Sequence, residues 1–182
     1  MKQKLILMVV ALTFATNGFS QFEIKFNPIG ALFGQIPLSA EYILNDNMGV
    51  ELTVGYYFKK EGDFQNVSKS SGLVTNGLFK YYFNPNKGGD KFYVFPYVRY
   101  VTRSFTFTDA TSGDIEASYN AFGVGFGLGY KIVANSGLLF DFGLGAGKNF
   151  SSDYSYSDPN YSSSVSIPAL NIFGRISIGY RF

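Results

Sequence analysis

The chain has 182 residues, of which 19% are aromatic and only 15% charged, with a formal net charge of +2. About a quarter of an ordinary soluble domain is charged, so this composition points to one unusually apolar domain. Cys and His are absent, which excludes disulfides, a lipid-modified N-terminal Cys and thiolate metal sites, and removes the commonest general base and transition-metal ligand.

Residues 1–20 read as a cleavable export signal. Lys2 and Lys4 precede an apolar run, Leu5–Ala15, and Gly18-Phe19-Ser20 offers a small-x-small cleavage site before Gln21. The run is about half of the roughly 20 residues that a membrane helix needs. Removing the signal leaves 13 basic and 13 acidic residues, so no positive surplus invites nucleic acid. The remainder, residues 21–182, is expected to form one domain. No later run is long and apolar enough for a membrane helix, so a membrane role must come from strands.

Eight strands follow. Phe22, Ile24 and Phe26 alternate with Glu23, Lys25 and Asn27, and Pro28 is expected to bend or bulge this first strand before Ile29–Leu32. The second places Ile36, Leu38, Ala40, Tyr42 and Leu44 on one face, with Ser39 and Glu41 on the other. Asn45-Asp46-Asn47 is a turn by composition. The third carries Met48, Val50, Leu52, Val54, Tyr56 and Phe58 against Glu51, Thr53, Gly55 and Tyr57. Lys59–Ser71, polar and aperiodic, is expected as a loop.

In the fourth strand Leu73, Thr75, Phe79, Tyr81 and Phe83 oppose Asn76 and Lys80, and Asn84–Gly89 is dense in turn formers. The fifth spans Phe92–Phe107. Arg99 and Arg103 share a parity there, and a lipid-facing Arg at mid-depth costs about 2–4 kcal/mol. Val94, Pro96, Val98 and Tyr100 are therefore turned outward, with a missing ladder bond expected at Pro96. After a loop at Thr108–Ala117, the sixth strand interleaves Phe122, Val124, Phe126, Leu128 and Tyr130 with Gly123, Gly125, Gly127, Gly129 and Lys131. Beyond a turn at Val133–Gly137, the seventh sets Leu138, Phe140, Phe142 and Leu144 against Asp141, Gly143, Gly145 and Gly147. Ser151–Ser166 reads as the longest loop. Ile167–Phe182 closes the chain with Ile176, Ile178, Tyr180 and Phe182 on one parity and Arg175, Ser177 and Arg181 on the other. Period two throughout means strands with one apolar and one polar face.

Links after the second, fourth and sixth strands are short, and those after the third, fifth and seventh are long. That rhythm, an even strand count and strands of about 10 residues define a transmembrane barrel. A soluble lipocalin-type barrel, apolar face inward, is the rival. It would expose rows of glycine to water, whereas in a membrane barrel those glycines make room inside a narrow lumen. The fold expected is all-β, an eight-stranded antiparallel up-and-down transmembrane barrel.

The ending Gly179-Tyr180-Arg181-Phe182 resembles the C-terminal signature of Gram-negative outer-membrane barrels, with Tyr180 and Phe182 as the assembly signal. With the alternating strands and the turn-loop rhythm, the chain resembles the small OmpA/OmpX-type barrels over nearly everything after Gln21. The resemblance implies a stand-alone outer-membrane barrel without OmpA's cell-wall tether. Its partners would be outer-membrane lipid and the barrel-assembly machinery, it would act as a monomer, and an extracellular ligand could be met through its loops. Enzymes of this architecture rely on a His, absent here, so no catalytic activity is expected. No cofactor or metal is expected either, since Asp153, Asp158 and Asn160 lack the spacing of a calcium loop.

Two residue sets remain. Glu23, Lys25, Glu41, Glu51, Lys80, Arg99, Arg103, Lys131, Asp141, Arg175 and Arg181 all take the inward parity and form a candidate lumen ionic network. The turn at Asn45–Asn47 sets Glu41 opposite Glu51, and Arg175, seconded by Arg99, is the expected bridging cation. Phe64, Tyr154, Tyr156 and Tyr161 are candidates for loop recognition. The functional expectation is a side-chain-plugged barrel with a structural or surface-interaction role. The alternative is a narrow channel or binder for small apolar molecules, of the OmpW type.

Overall fold

The computed structural model describes residues 21–32, 34–59, 67–109, 113–156 and 170–182. Eight strands, β1 (Phe22–Phe26), β2 (Gln35–Asn45), β3 (Met48–Lys59), β4 (Val67–Tyr82), β5 (Lys91–Asp109), β6 (Gly113–Val133), β7 (Leu138–Tyr156) and β8 (Leu170–Arg181), close into one barrel in sequence order. Every pairing is antiparallel, and β1 meets β8. This is the expected architecture. Closure gives backbone groups of both end strands a partner, which is how an all-strand body avoids bare sheet edges.

The parity expectations hold along the wall. Ile36, Leu38, Leu52, Val54, Val98, Phe126, Leu128, Leu144, Ile172 and Ile178 point outward and are exposed, while their neighbours on the opposite parity are buried or half-buried. At the short-turn end this apolar face finishes in rings: Tyr81, Phe83, Phe92, Tyr130, Tyr180 and Phe182 are all exposed. At the other end it stops near Tyr100 and Phe122, beyond which Thr102, Ser104, Ser118 and Asn120 take the outward parity. Phe92 to Tyr100 is about the nine residues that a tilted strand needs to cross a bilayer.

Five boundaries differ from the sequence expectations. Ile29–Leu32 does not extend β1: Pro28–Leu32 is a single helical turn, α1. Asn27 Oδ1 accepts from the amides of Ile29 and Gly30, both at 3.1 Å, and Pro28 takes the first helical position. An Asn cap before a Pro that lacks an amide in any case is a helix start, and here it outweighs the strand period. The expected loops at Lys59–Ser71, Thr108–Ala117 and Ser151–Ser166 are also shorter than their polarity suggested. β4 already pairs from Val67, β5 and β6 pair up to Asp109–Gly113, and β7 runs to Tyr156. A strand that has left the apolar zone has no face to keep apolar, so its period vanishes while its ladder continues. The Asn45–Asn47 turn is tighter too: Asn45 pairs Met48, and an irregularity follows Ile43.

Pro96 behaves as a wall irregularity on one side only. On the β6 side it pairs Phe126 in register. On the β4 side the ladder is interrupted between Leu78–Tyr97 and Tyr81–Val94 and resumes in the same register. The missing proline donor thus faces β4.

The wall is uneven. β5, β6 and β7 have 19, 21 and 19 residues, whereas β1 has 5 and β8 has 12. The β1–β8 seam consists of four pairs, Glu23–Arg181 to Phe26–Ile178. Above it α1 turns the chain away, and residues Leu170–Ser177 of β8 pair only with β7. The short-turn end is drawn together. Gly89 donates to the Asp46 carbonyl at 2.7 Å, and Lys87 Nζ reaches the Val133 carbonyl and Asn135 Oδ1. Gly88 and Gly89, at φ of +70° and +54°, supply the left-handed turn that brings this loop under the barrel.

Candidate functional site

Three adjacent strands place three carboxylates side by side. Glu23 pairs Glu41 across β1–β2, and Glu41 pairs Glu51 across β2–β3. All three point into the lumen with fully buried side chains. Asp141, on β7 across the lumen, is equally buried. Like charges opposite one another destabilise a ladder, and burial sharpens the repulsion. The row can exist only if cations reach it from other walls.

Lys25 is the central cation. Its Nζ lies 2.5 Å from Glu51 Oε2 and 2.9 Å from Asp141 Oδ2, and it also bonds Glu41. Gly179, its neighbour on β8, leaves room for its stem. Lys80 Nζ contacts Glu41 at 2.8 Å, Glu51 at 2.7 Å and Asp141 at 3.0 Å. Lys131 Nζ binds Glu23 at 2.8 Å and Glu41 at 3.1 Å. Arg175 grips Glu51 and Asp141 with its two terminal nitrogens. Arg181 binds Glu23 through Nε at 2.9 Å and carries the network down to the Gly88 and Gly89 carbonyls. Four carboxylates thus meet five cations.

The expected bridge is therefore corrected. Arg175 meets Glu51 but not Glu41, and Arg99 meets neither; Lys25 and Lys80 span the glutamate pair. Arg175 projects from β8 toward β3 and β7, which leaves Glu41 to the lysines. Oxygens of Glu41, Glu51 and Asp141 lie within 4.8 Å of one another, a spacing that could hold a metal ion. The Lys25 ammonium is in contact with all three, so their charge is already met without one.

Two tyrosines missed by a search for charges complete the cluster. Tyr82 donates to Glu41, and Tyr93 donates to Asp141 at 2.5 Å. Lys80 Nζ lies 4.6 Å from the Tyr93 ring centre and Lys131 Nζ 4.7 Å from that of Tyr82. Their inward parity was the available signal. Above them Tyr93, Phe95 and Tyr97 stack up β5 with centroids 5.7 and 6.0 Å apart, and Phe173 packs on the upper two. These rings explain the glycines of β6. Tyr93, Phe95 and Tyr97 pair Gly129, Gly127 and Gly125, and a Cβ at any of the three would strike the ring beside it.

Arg99 and Arg103 stand apart from the ionic cluster, higher in the lumen. Arg99 Nη1 donates to the Ile172 carbonyl at 3.3 Å, and the Arg103 guanidinium lies 3.6 Å over the Tyr57 ring. Both line a cavity of about 220 Å³, and Arg99 also lines a neighbouring one of about 190 Å³. Of the loop candidates, Tyr154 and Tyr156 are on β7, paired with Tyr119 and Ala117, and so are not loop residues. Phe64, Tyr161 and the signal segment 1–20 lie outside the described residues. Tyr180 and Phe182 sit at the seam: the Phe182 amide donates to the Phe22 carbonyl at 3.0 Å, and its ring packs on Phe22 and Tyr180.

The crystal structure of a major outer membrane protein from Thermus thermophilus is similar to this chain, with a TM-score of 0.56. The likeness covers 89% of this chain and 98% of that one at 20% identity, and at that identity it speaks for the fold alone. Comparison with the curated proteins gives no match. A family model described as "Protein of unknown function (DUF3575)" matches residues 4–179. That match spans nearly the whole sequence, and the chain belongs to this family.

Proposed function

We propose that the protein is an outer-membrane β-barrel of the small OmpA/OmpX type whose lumen is plugged by its own side chains and whose role is structural or surface-interacting. The observation that carries the plug is the cluster of Glu23, Glu41, Glu51, Asp141, Lys25, Lys80 and Lys131, all with fully buried side chains and drawn from six strands across the lumen. An eight-stranded interior is just wide enough for side chains to fill. The outer-membrane location is supported by the exposed apolar face between the Phe92 and Tyr100 levels and by the Thermus likeness. On this reading residues 1–20 are an export signal, the assembly machinery reads Tyr180 and Phe182, the barrel is a monomer in lipid, and it is not an enzyme. Single-channel recording in planar bilayers tests the plug. The expected trace is silent, and a steady open pore overturns the reading.

One observation favours the second reading, a binder of small apolar molecules like the OmpW group. Beside the β8 edge above α1 lies the 190 Å³ cavity, lined by Gln35, Pro37, Ile172 and Ser177. Arg99 in that cavity does not suit a wholly apolar occupant.

A further inference from the structure

We propose that the upper lumen is a binding site for a small organic carboxylate with a short apolar tail, held by Arg99 and Arg103. The two arginines project from β5 into one cavity of about 220 Å³, above the ionic cluster and toward the long-connection end. Among the described residues neither pairs with a carboxylate. The acids of the lumen are committed to Lys25, Lys80, Lys131, Arg175 and Arg181 below. Arg103 stacks its face on Tyr57, which leaves the edge of the guanidinium to donate, and its Nε is buried without a partner. Arg99 spends one donor on the Ile172 carbonyl.

Two cations that no acid among the described residues neutralises, in a formed cavity, call for an anion. A stacked guanidinium presents its donors in the plane that matches a carboxylate. The adjoining 190 Å³ cavity adds two further unsatisfied groups, Asn76 Oδ1 and Arg175 Nε, so the polar demand of the upper lumen exceeds what the described side chains supply. Tyr119, Asn149 and Asn171 also line the arginine cavity, Leu170 and Ile172 border it with their side chains turned outward, and Val101 and Ala121 form its apolar wall. A bare inorganic anion would gain nothing from that wall, and a neutral hydrocarbon would leave both arginines unmet. A carboxylate with a short tail satisfies both. The inference does not rest on whether the lumen below conducts, and binding and conductance are read separately.

The test uses the mature chain folded in a non-ionic detergent, with octanoate as the probe in titration calorimetry and 1-octanol and sulfate as controls. Octanoate should show a single saturable site. Arg99→Gln and Arg103→Gln should each weaken it by about tenfold or more, the loss expected for charge-assisted hydrogen bonds. Should a Gln variant fail to show the heat-modifiable mobility of the folded barrel, Arg→Lys at the same position replaces it. Lys keeps the charge but loses the planar fork, and a several-fold weakening is still expected. Octanol or sulfate binding as tightly as octanoate would overturn the assignment. So would no saturable octanoate binding, or binding indifferent to both arginines.

Discussion

Glu41 and Glu51 stand directly opposite each other on β2 and β3, both buried in the lumen, and two lysines from other strands hold them there. Neither lysine is their neighbour in sequence. Lys25 comes from β1 and Lys80 from β4, so the pair becomes tolerable only once four strands have assembled. Charge compensation is thus tied to tertiary structure.

Replacing Lys25 with Met should be the most damaging single change in the lumen. It strands charge on Glu41, Glu51 and Asp141 together, and breaking a buried ion pair costs about 3–5 kcal/mol. Urea unfolding in detergent micelles measures it. A midpoint close to that of the unaltered protein would show that Lys80, Lys131 and Arg175 together suffice.

Arg175→Ala should cost about 3 kcal/mol by the same mechanism, but its coupling partners are specific. A double-mutant cycle with Glu51→Gln should be strongly non-additive, because the side chains touch. The cycle with Glu41→Gln should show a much smaller coupling term, since no contact joins them. Equal coupling in both cycles would mean that the network responds as one undivided body.

Gly125→Ala should destabilise the barrel by about 1–3 kcal/mol through overpacking. The three atoms nearest to an added Cβ all belong to the Tyr97 side chain. Tyr97→Leu in the same chain should recover part of the loss. If both substitutions simply add, the glycine serves something other than the ring.

Phe182→Asp should cut the amount of folded, heat-modifiable protein in outer-membrane fractions far more than Asn135→Asp in a turn. Phe182 closes the seam at its narrowest point, where only four residue pairs join β8 to β1. Equal yields of the two variants would remove the assembly role given to this residue.

The fold was legible because alternation is a local property: each of Ile36, Glu41, Val54, Lys80, Phe126 and Asp141 takes its face from its parity alone. Membership of the lumen was legible for the same reason. Which cation meets which acid was not, because that depends on how far strands slide past one another around the barrel and how far a side chain reaches across it. Arg175 looked well placed for Glu41 from strand adjacency, yet Lys25 on the neighbouring strand lies closer. Strand ends were illegible where the alternation fades into polar sequence, as at residues 67–71, 113–117 and 151–156. The turn at Pro28–Leu32 was readable in principle from Asn27-Pro28, but a strand-wide period masked it.

The uneven wall has a mechanical consequence. A strand of 21 residues such as β6 rises roughly 50 Å at the usual tilt, about twice the height of an apolar membrane band. With the apolar face ending near Tyr100 and Phe122, the upper parts of β4, β5, β6 and β7 rise beyond it as a four-stranded screen on one side of the mouth. Tyr154 and Tyr156 belong to that screen, hydrogen-bonded to β6 instead of hanging in a tether. A partner docking against it would find its footing already set and lose little freedom on contact, unlike one that must first quiet a floppy loop. Among the described residues the wall is lowest at β1, which is five residues long.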